Sequence, residues 1–172
     1  MATLTPFNPA LVQSSPAKAM DYRNAFVENA QVYPPGLFMK VVAGLAKICT
    51  TSGHSGVAED AIQLYTLAAL ATATGDDVTE KTFGVVHEDD IWVGHLSSAI
   101  AAAMTVSGQK YQLVVSGTNQ TLLNTFVDGA THGIATCLGP VWHDRIFSDN
   151  SADTYARIYL KILQAAIYAE AA

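Results

Sequence analysis

The sequence predicts an all-α fold: a single-domain bundle of about six helices behind an extended N-terminal arm. Apolar residues recur at three- and four-residue spacings through most of the chain, the signature of amphipathic helices. Capping residues and Gly-Pro breaks fall at the ends of those stripes. No repeat, low-complexity tract or linker divides the 172 residues, a length that suits one domain. The expected organisation is an arm over residues 1–15 and one helical domain over 16–172.

The arm has no helical period. Pro6, Pro9 and Pro16 favour an extended chain, while Leu4, Phe7 and Leu11 are too apolar for a solvated tail. That combination predicts a segment that docks, on its own domain or on a neighbour. Ser15 and Pro16 then read as the N-cap and first position of a helix running to about Gln31. Tyr33-Pro34-Pro35-Gly36 ends it. A second helix is expected over 36–50, with Leu37, Val41, Leu45 and Ile48 on one stripe and Lys40 and Lys47 opposite. After the Gly- and Ser-rich break at 50–56 a third helix spans 57–74. Residues 78–88 read as a short helix or irregular chain, with Asp77 and Asp89 or Asp90 as N-caps. A fourth helix over 90–106 is apolar nearly all round and is the expected buried centre. Residues 110–115 alternate like a short strand, but no partner strand is evident. Thr118 caps a fifth helix, whose stripe of Leu122, Phe126, Ala130 and Cys137 stops at Gly139-Pro140. The sixth, about 152–170, repeats Tyr155, Ile158, Tyr159, Ile162 and Leu163 at threes and fours.

Composition narrows function more than any motif does. The chain is 50% hydrophobic and only 14% charged, with a net charge of -6. No apolar run approaches the roughly 20 residues of a membrane-spanning helix, and no signal peptide is evident, so a cytoplasmic or virion location is expected. Scattered basic residues form no nucleic-acid patch, although Arg145 and Arg157 repeated by an assembly would offer phosphate contacts. Residues 76–110 hold six acids against Lys81 and Lys110. This acidic stretch would suit a basic partner if it were not simply capping helices. Cys49 and Cys137 read as buried free thiols.

Chemical motifs are incomplete. Gly53-His54-Ser55-Gly56 approaches a nucleophile elbow, but Val57 stands where the last glycine belongs. His87-Glu88 opens like a zincin motif, but Ile91 replaces the second histidine. No spacing supports a metal site, and no glycine-rich loop supports a phosphate-bearing cofactor. The least ordinary grouping is Trp92 and His95 with Trp142 and His143, which would line a small-molecule pocket if the fold brought them together.

Three features predict self-association. Gly129 and Gly133 bracket a small-xxx-small pattern. Ala-rich stretches at 99–103 and 165–172 offer flat faces. The apolar arm, through Leu4, Phe7 and Leu11, has the character of a connector. The expected function is therefore a non-enzymatic structural subunit forming a homo-oligomer, shell or filament. By fold-class analogy alone it compares with helical virus coat and phage structural proteins. The alternatives are a small enzyme or ligand-binding domain at the Trp92 grouping, and an acidic adaptor or inhibitor acting through residues 76–90.

Overall fold

The computed structural model describes residues 8–13, 21–28, 32–49, 62–71, 79–95, 108, 110–111, 113–116, 119–122, 135–140, 157–163 and 167. Among these, about two thirds lie in strands, and helical geometry is confined to a turn at Ile167, whose N–H donates to the Leu163 carbonyl at 3.2 Å. The expected all-α bundle is overturned: the described residues are built mainly of β-strands. The strands are β1 (Ala10–Gln13), β2 (Tyr22–Val27), β3 (Val32–Tyr33), β4 (Phe38–Val42), β5 (Leu45–Ile48), β6 (Leu64–Tyr65) and β7 (Leu70–Ala71). They continue with β8 (Glu80–Val85), β9 (Ile91–His95), β10 (Lys110–Tyr111), β11 (Leu113–Ser116), β12 (Asn119–Leu122), β13 (Ala135–Pro140) and β14 (Arg157–Ile162).

Each failed helix has a local reason. Val41-Val42 and Leu45 fit a helical stripe, but Ala43 and Gly44 take φ of 51° and 82°, the paired positive values of a type I′ hairpin turn. The expected second helix therefore folds back on itself as β4 and β5, pairing Val42 with Leu45 and Met39 with Ile48. In the expected sixth helix, Arg157, Tyr159 and Lys161 alternate with buried Ile158, Leu160 and Ile162. That is a period of two, and the β-branched and aromatic residues favour it over a helix. The first, third, fourth and fifth expected helices are likewise replaced, within the described residues, by β2, by β6 and β7, by β9, and by β12 and β13. The strand expected at 110–115 exists, and its missing partners are β13 for β10 and β12 for β11. Asp90 caps no helix. Its carboxylate accepts the His87 N–H at 2.9 Å in the turn between β8 and β9. The expected short helix or irregular chain at 78–88 is replaced from Glu80 by the strand β8.

Five strands close a barrel in the order β2-β5-β4-β6-β8. Its pairs are antiparallel except β2 with β5, where Phe26 and Val27 run alongside Leu45 and Ala46. Alternate residues fill the interior, as a barrel this small requires: Ala25, Val27, Met39, Ala46, Leu64 and Phe83 form one buried cluster. Tyr33 joins this cluster. Its hydroxyl donates to the Glu28 carbonyl at 3.3 Å, and burial, reinforced by the Glu28 charge, pushes it up to about 12. A phenol that ionises at 10.0 when unfolded and near 12 when folded holds its proton more tightly in the fold. Its contribution is complete below pH 10 and is lost as the pH rises to 12, at up to about 1.4 kcal/mol per pH unit. Urea titrations across this range should show stability falling, and Tyr33→Phe should make the fall shallower.

The second layer is a five-stranded antiparallel sheet, β1-β9-β14-β13-β10. Its Trp92, Ala135, Cys137, Ile158, Leu160 and Ile162 pack against Phe38, Cys49 and Tyr65 from the barrel. Trp92 is the joint. Its indole meets Phe38 edge-on at 4.9 Å and Tyr65 at 5.0 Å, the arrangement that aromatic quadrupoles favour. Cys49 and Cys137 are buried free thiols, as the sequence implied. Among the described residues no helix is long and apolar enough to cross a membrane.

Candidate functional site

The arm, one turn and one loop build a cleft among the described residues. Pro35-Gly36 forms the tip of the turn between β3 and β4, with Gly36 at φ 78° as the third position of a type II turn demands. The bond that would close such a turn, from Leu37 N–H to Pro34 C=O, is replaced by a hydroxyl. Thr66 Oγ1 accepts from Leu37 N at 2.9 Å and donates to Pro34 O at 2.6 Å. Gly36 N and Thr66 N add backbone bonds to Thr66 O and Leu37 O. The turn is thus held to the segment after β6 by four hydrogen bonds.

The arm crosses over this turn. A Cβ on Gly36 would collide with the Pro9 carbonyl, so the crossing requires glycine for space as well as for its φ. Asn8 anchors the arm: its Nδ2 donates to Pro35 O at 3.2 Å, and its Oδ1 accepts from Gln120 N at 2.7 Å. Leu11 packs against the core that contains Trp92, and β1 pairs with β9 as the sheet's edge strand, with a bulge between Leu11 and Gln13. Gly36→Ala should therefore cost about 2 kcal/mol from the positive φ and the collision. Hydrogen exchange would locate the damage, with faster exchange at residues 10–13 than in the barrel.

Between arm, turn and loop lies a cleft of about 500 Å³, walled by residues 8–11, 34–36 and 65–67. That size falls within the range of ligand and peptide sites. None of these residues is charged. The walls are mainly Pro9, Pro34, Pro35, Leu11, Tyr65 and Leu67. Tyr65 lies flat over Gly84, where a Cβ would strike its ring. Burial, then the neighbouring Asp90 and Tyr22, raise its hydroxyl above the ordinary phenol value. Leu67 in the cleft wall is 38% exposed; Val12 and Tyr22 are exposed too, at 54% and 57%, but do not line the cleft.

The sequence-predicted residues fall elsewhere or beyond view. Trp92 and His95 are both buried on β9, three residues apart and so on opposite faces of the strand. Trp92 fills the joint and walls no described cleft. Trp142 and His143 lie outside the described residues, as do Leu4, Phe7, Gly129 and Gly133. Leu11 is the one predicted contact residue that is described, half-buried in the cleft wall. Of the acidic stretch, residues 79–90 form β8 and a turn, where Asp89 pairs with Lys161 at 3.3 Å and Asp90 is buried. His87 Nε2 lies 3.1 Å from Asp21, yet among the described residues no three His, Cys, Asp or Glu side chains converge to hold a metal.

Sequence reading missed Asn8, Thr66 and Gln120. Pro35-Gly36 was legible as a turn, but nothing in the chain announces that Thr66, thirty residues on, completes it. No known family model matches the chain, and no curated protein matches it significantly.

Proposed function

We propose that this chain is a structural subunit that associates with further copies of itself through the side carrying the N-terminal arm, building a symmetric oligomer, shell or filament. The observation that supports this reading is that large apolar side chains, Val12, Tyr22, Phe26, Val32, Leu67 and Leu138, stay exposed in a single copy, Leu67 in the wall of an uncharged cleft beside the arm. Aromatic residues such as Tyr22 are enriched in the buried cores of interfaces. The low overall charge, 14% of residues, accords with surface that another copy covers.

Light scattering after size exclusion tests the proposal. The mass should be a multiple of the monomer and should fall on dilution. Val12→Lys would bury an unpaired ammonium in the contact, costing at least about 3 kcal/mol and weakening association about a hundredfold. Its circular dichroism should not change, because Val12 is exposed within one copy. A monomer that persists at millimolar concentration would sink the reading.

A further inference from the structure

We propose that residues 1–7 of one copy occupy the arm-side cleft of a second copy. This rests on the self-association reading and names the contact that would carry it.

Chemistry matches on both sides. Residues 1–7, Met-Ala-Thr-Leu-Thr-Pro-Phe, have no charged side chain, and neither do the cleft walls. A charged peptide would have to shed its hydration against Pro9, Pro34, Pro35 and Leu67 with no counter-charge in the walls. An uncharged one would not. The shape also matches. Pro6 biases Thr5 toward extended or polyproline II geometry. In a helix of that kind, with three residues per turn, positions three apart such as 4 and 7 would share a face. Grooves lined by tyrosine and proline recognise such segments because little chain entropy remains to be lost. Here Tyr65 lines the cleft with Pro34, Pro35 and Leu67, and its ring packs closely over Gly84.

Chain direction favours a second copy over the same one. Asn8 is fixed by Pro35 and Gln120, and residues 9–11 already form one wall of the cleft. To enter its own cleft the chain would have to reverse just before Asn8. Pro9 opposes that by holding Asn8 extended. Seven extended residues reach about 24 Å, enough to cross to the equivalent cleft of a neighbour whose arm side faces this one.

Complementation between two full-length variants tests the exchange. Leu4→Glu with Phe7→Glu spoils the donor segment and leaves the cleft intact. Leu67→Glu charges the cleft mouth and leaves the donor intact. Each variant alone should run as a monomer in sedimentation velocity, and an equimolar mixture should form a heterodimer, since one native segment and one native cleft remain. Like charges on both variants prevent rescue by a new ion pair. If the doubly substituted donor associates as the unsubstituted chain does, the exchange is overturned while self-association stands. If the mixture stays monomeric, the exchange is overturned as well. If the unsubstituted chain is itself a monomer, the self-association reading has failed and takes the exchange with it.

A second measurement does not depend on how Leu67→Glu folds. A synthetic peptide of residues 1–7 is titrated into the Leu4→Glu/Phe7→Glu chain carrying Trp142→Phe, with Trp92 emission as the readout, because Trp92 touches the cleft residue Tyr65. Saturable binding is expected, at least tenfold tighter than that of the peptide with both glutamates. Equal response to the two peptides would overturn the proposal.

Discussion

Replacing Gln120 with leucine will cost the fold about 3–4 kcal/mol, a large part of the stability of a domain this size. The reason is its position in a β ladder to which it does not belong. At the end of the β4–β5 hairpin, Cys49 N donates to Phe38 O at 3.0 Å. In an antiparallel pair of this kind the return bond would run from Phe38 N to Cys49 O. The Gln120 side chain is inserted there instead. Its Oε1 accepts from Phe38 N at 2.6 Å, and its Nε2 donates to Cys49 O at 3.3 Å and to Phe38 O at 2.9 Å. The carboxamide acts as a substitute peptide group, joining β12 to the barrel where Asn8 joins it to the arm. Leucine matches its size but leaves the buried Phe38 N–H without an acceptor, and an orphaned buried donor alone costs about 1–3 kcal/mol. Gln120→Glu should be at least as damaging, because a carboxylate would face two carbonyl oxygens. Urea denaturation measures both. A loss below about 1 kcal/mol for leucine would mean that the Phe38 N–H finds another partner.

The second large effect is at Trp92. Truncation to alanine should cost about 3–5 kcal/mol from lost burial and the cavity left behind. It also removes both edge-to-face contacts that tie β9 to Phe38 and Tyr65. Trp92→Phe should cost only about 1–2 kcal/mol. It keeps an aromatic ring in the joint and deletes an indole N–H that has no hydrogen-bond partner among the described residues. The contrast checks the role assigned to Trp92. If phenylalanine is as damaging as alanine, the indole nitrogen has a partner that matters. If alanine is harmless, the two layers are not held by this joint.

Much of the burial pattern was legible from the chain, although the secondary structure was not. The apolar positions picked out for cores, such as Leu37, Ile48, Trp92, Ile158 and Ile162, are buried or half-buried in the fold. Their spacing was misread because strands of four to six residues present too few repeats to separate a period of two from one of 3.6. In Arg157–Ile162 every second residue is buried, yet Ile158 and Ile162 also stand four apart, as a helix would place them. The turn at Ala43 carries a residue that rarely takes positive φ, so the hairpin had only Gly44 as a signal. Residues 110–115 read as one possible strand without a partner, where the fold has two strands, β10 and β11, in different sheets; the partner of β10 lies 24 or more residues away in β13.

The candidate site divides along the same line. Its ingredients were visible: an apolar, uncharged, proline-bearing arm that ought to dock, and a Pro-Pro-Gly turn. That the arm docks on this turn was decided by side chains distant in sequence. Asn8 and Gln120 are 112 residues apart, and Leu37 and Thr66 are 29.

The sequence by itself determined that the chain buries a large apolar core with little charge, that its cysteines are buried, and that the chain around Pro9 is extended. These depend on composition and on the φ restriction that proline imposes locally. Tertiary structure alone decided strand against helix, the closure of the barrel, and the seat of the arm. Each of those depends on backbone hydrogen bonds between distant segments, which satisfy the buried N–H and C=O groups only after the partners have met. A one-dimensional pattern of apolar residues carries no record of who those partners are.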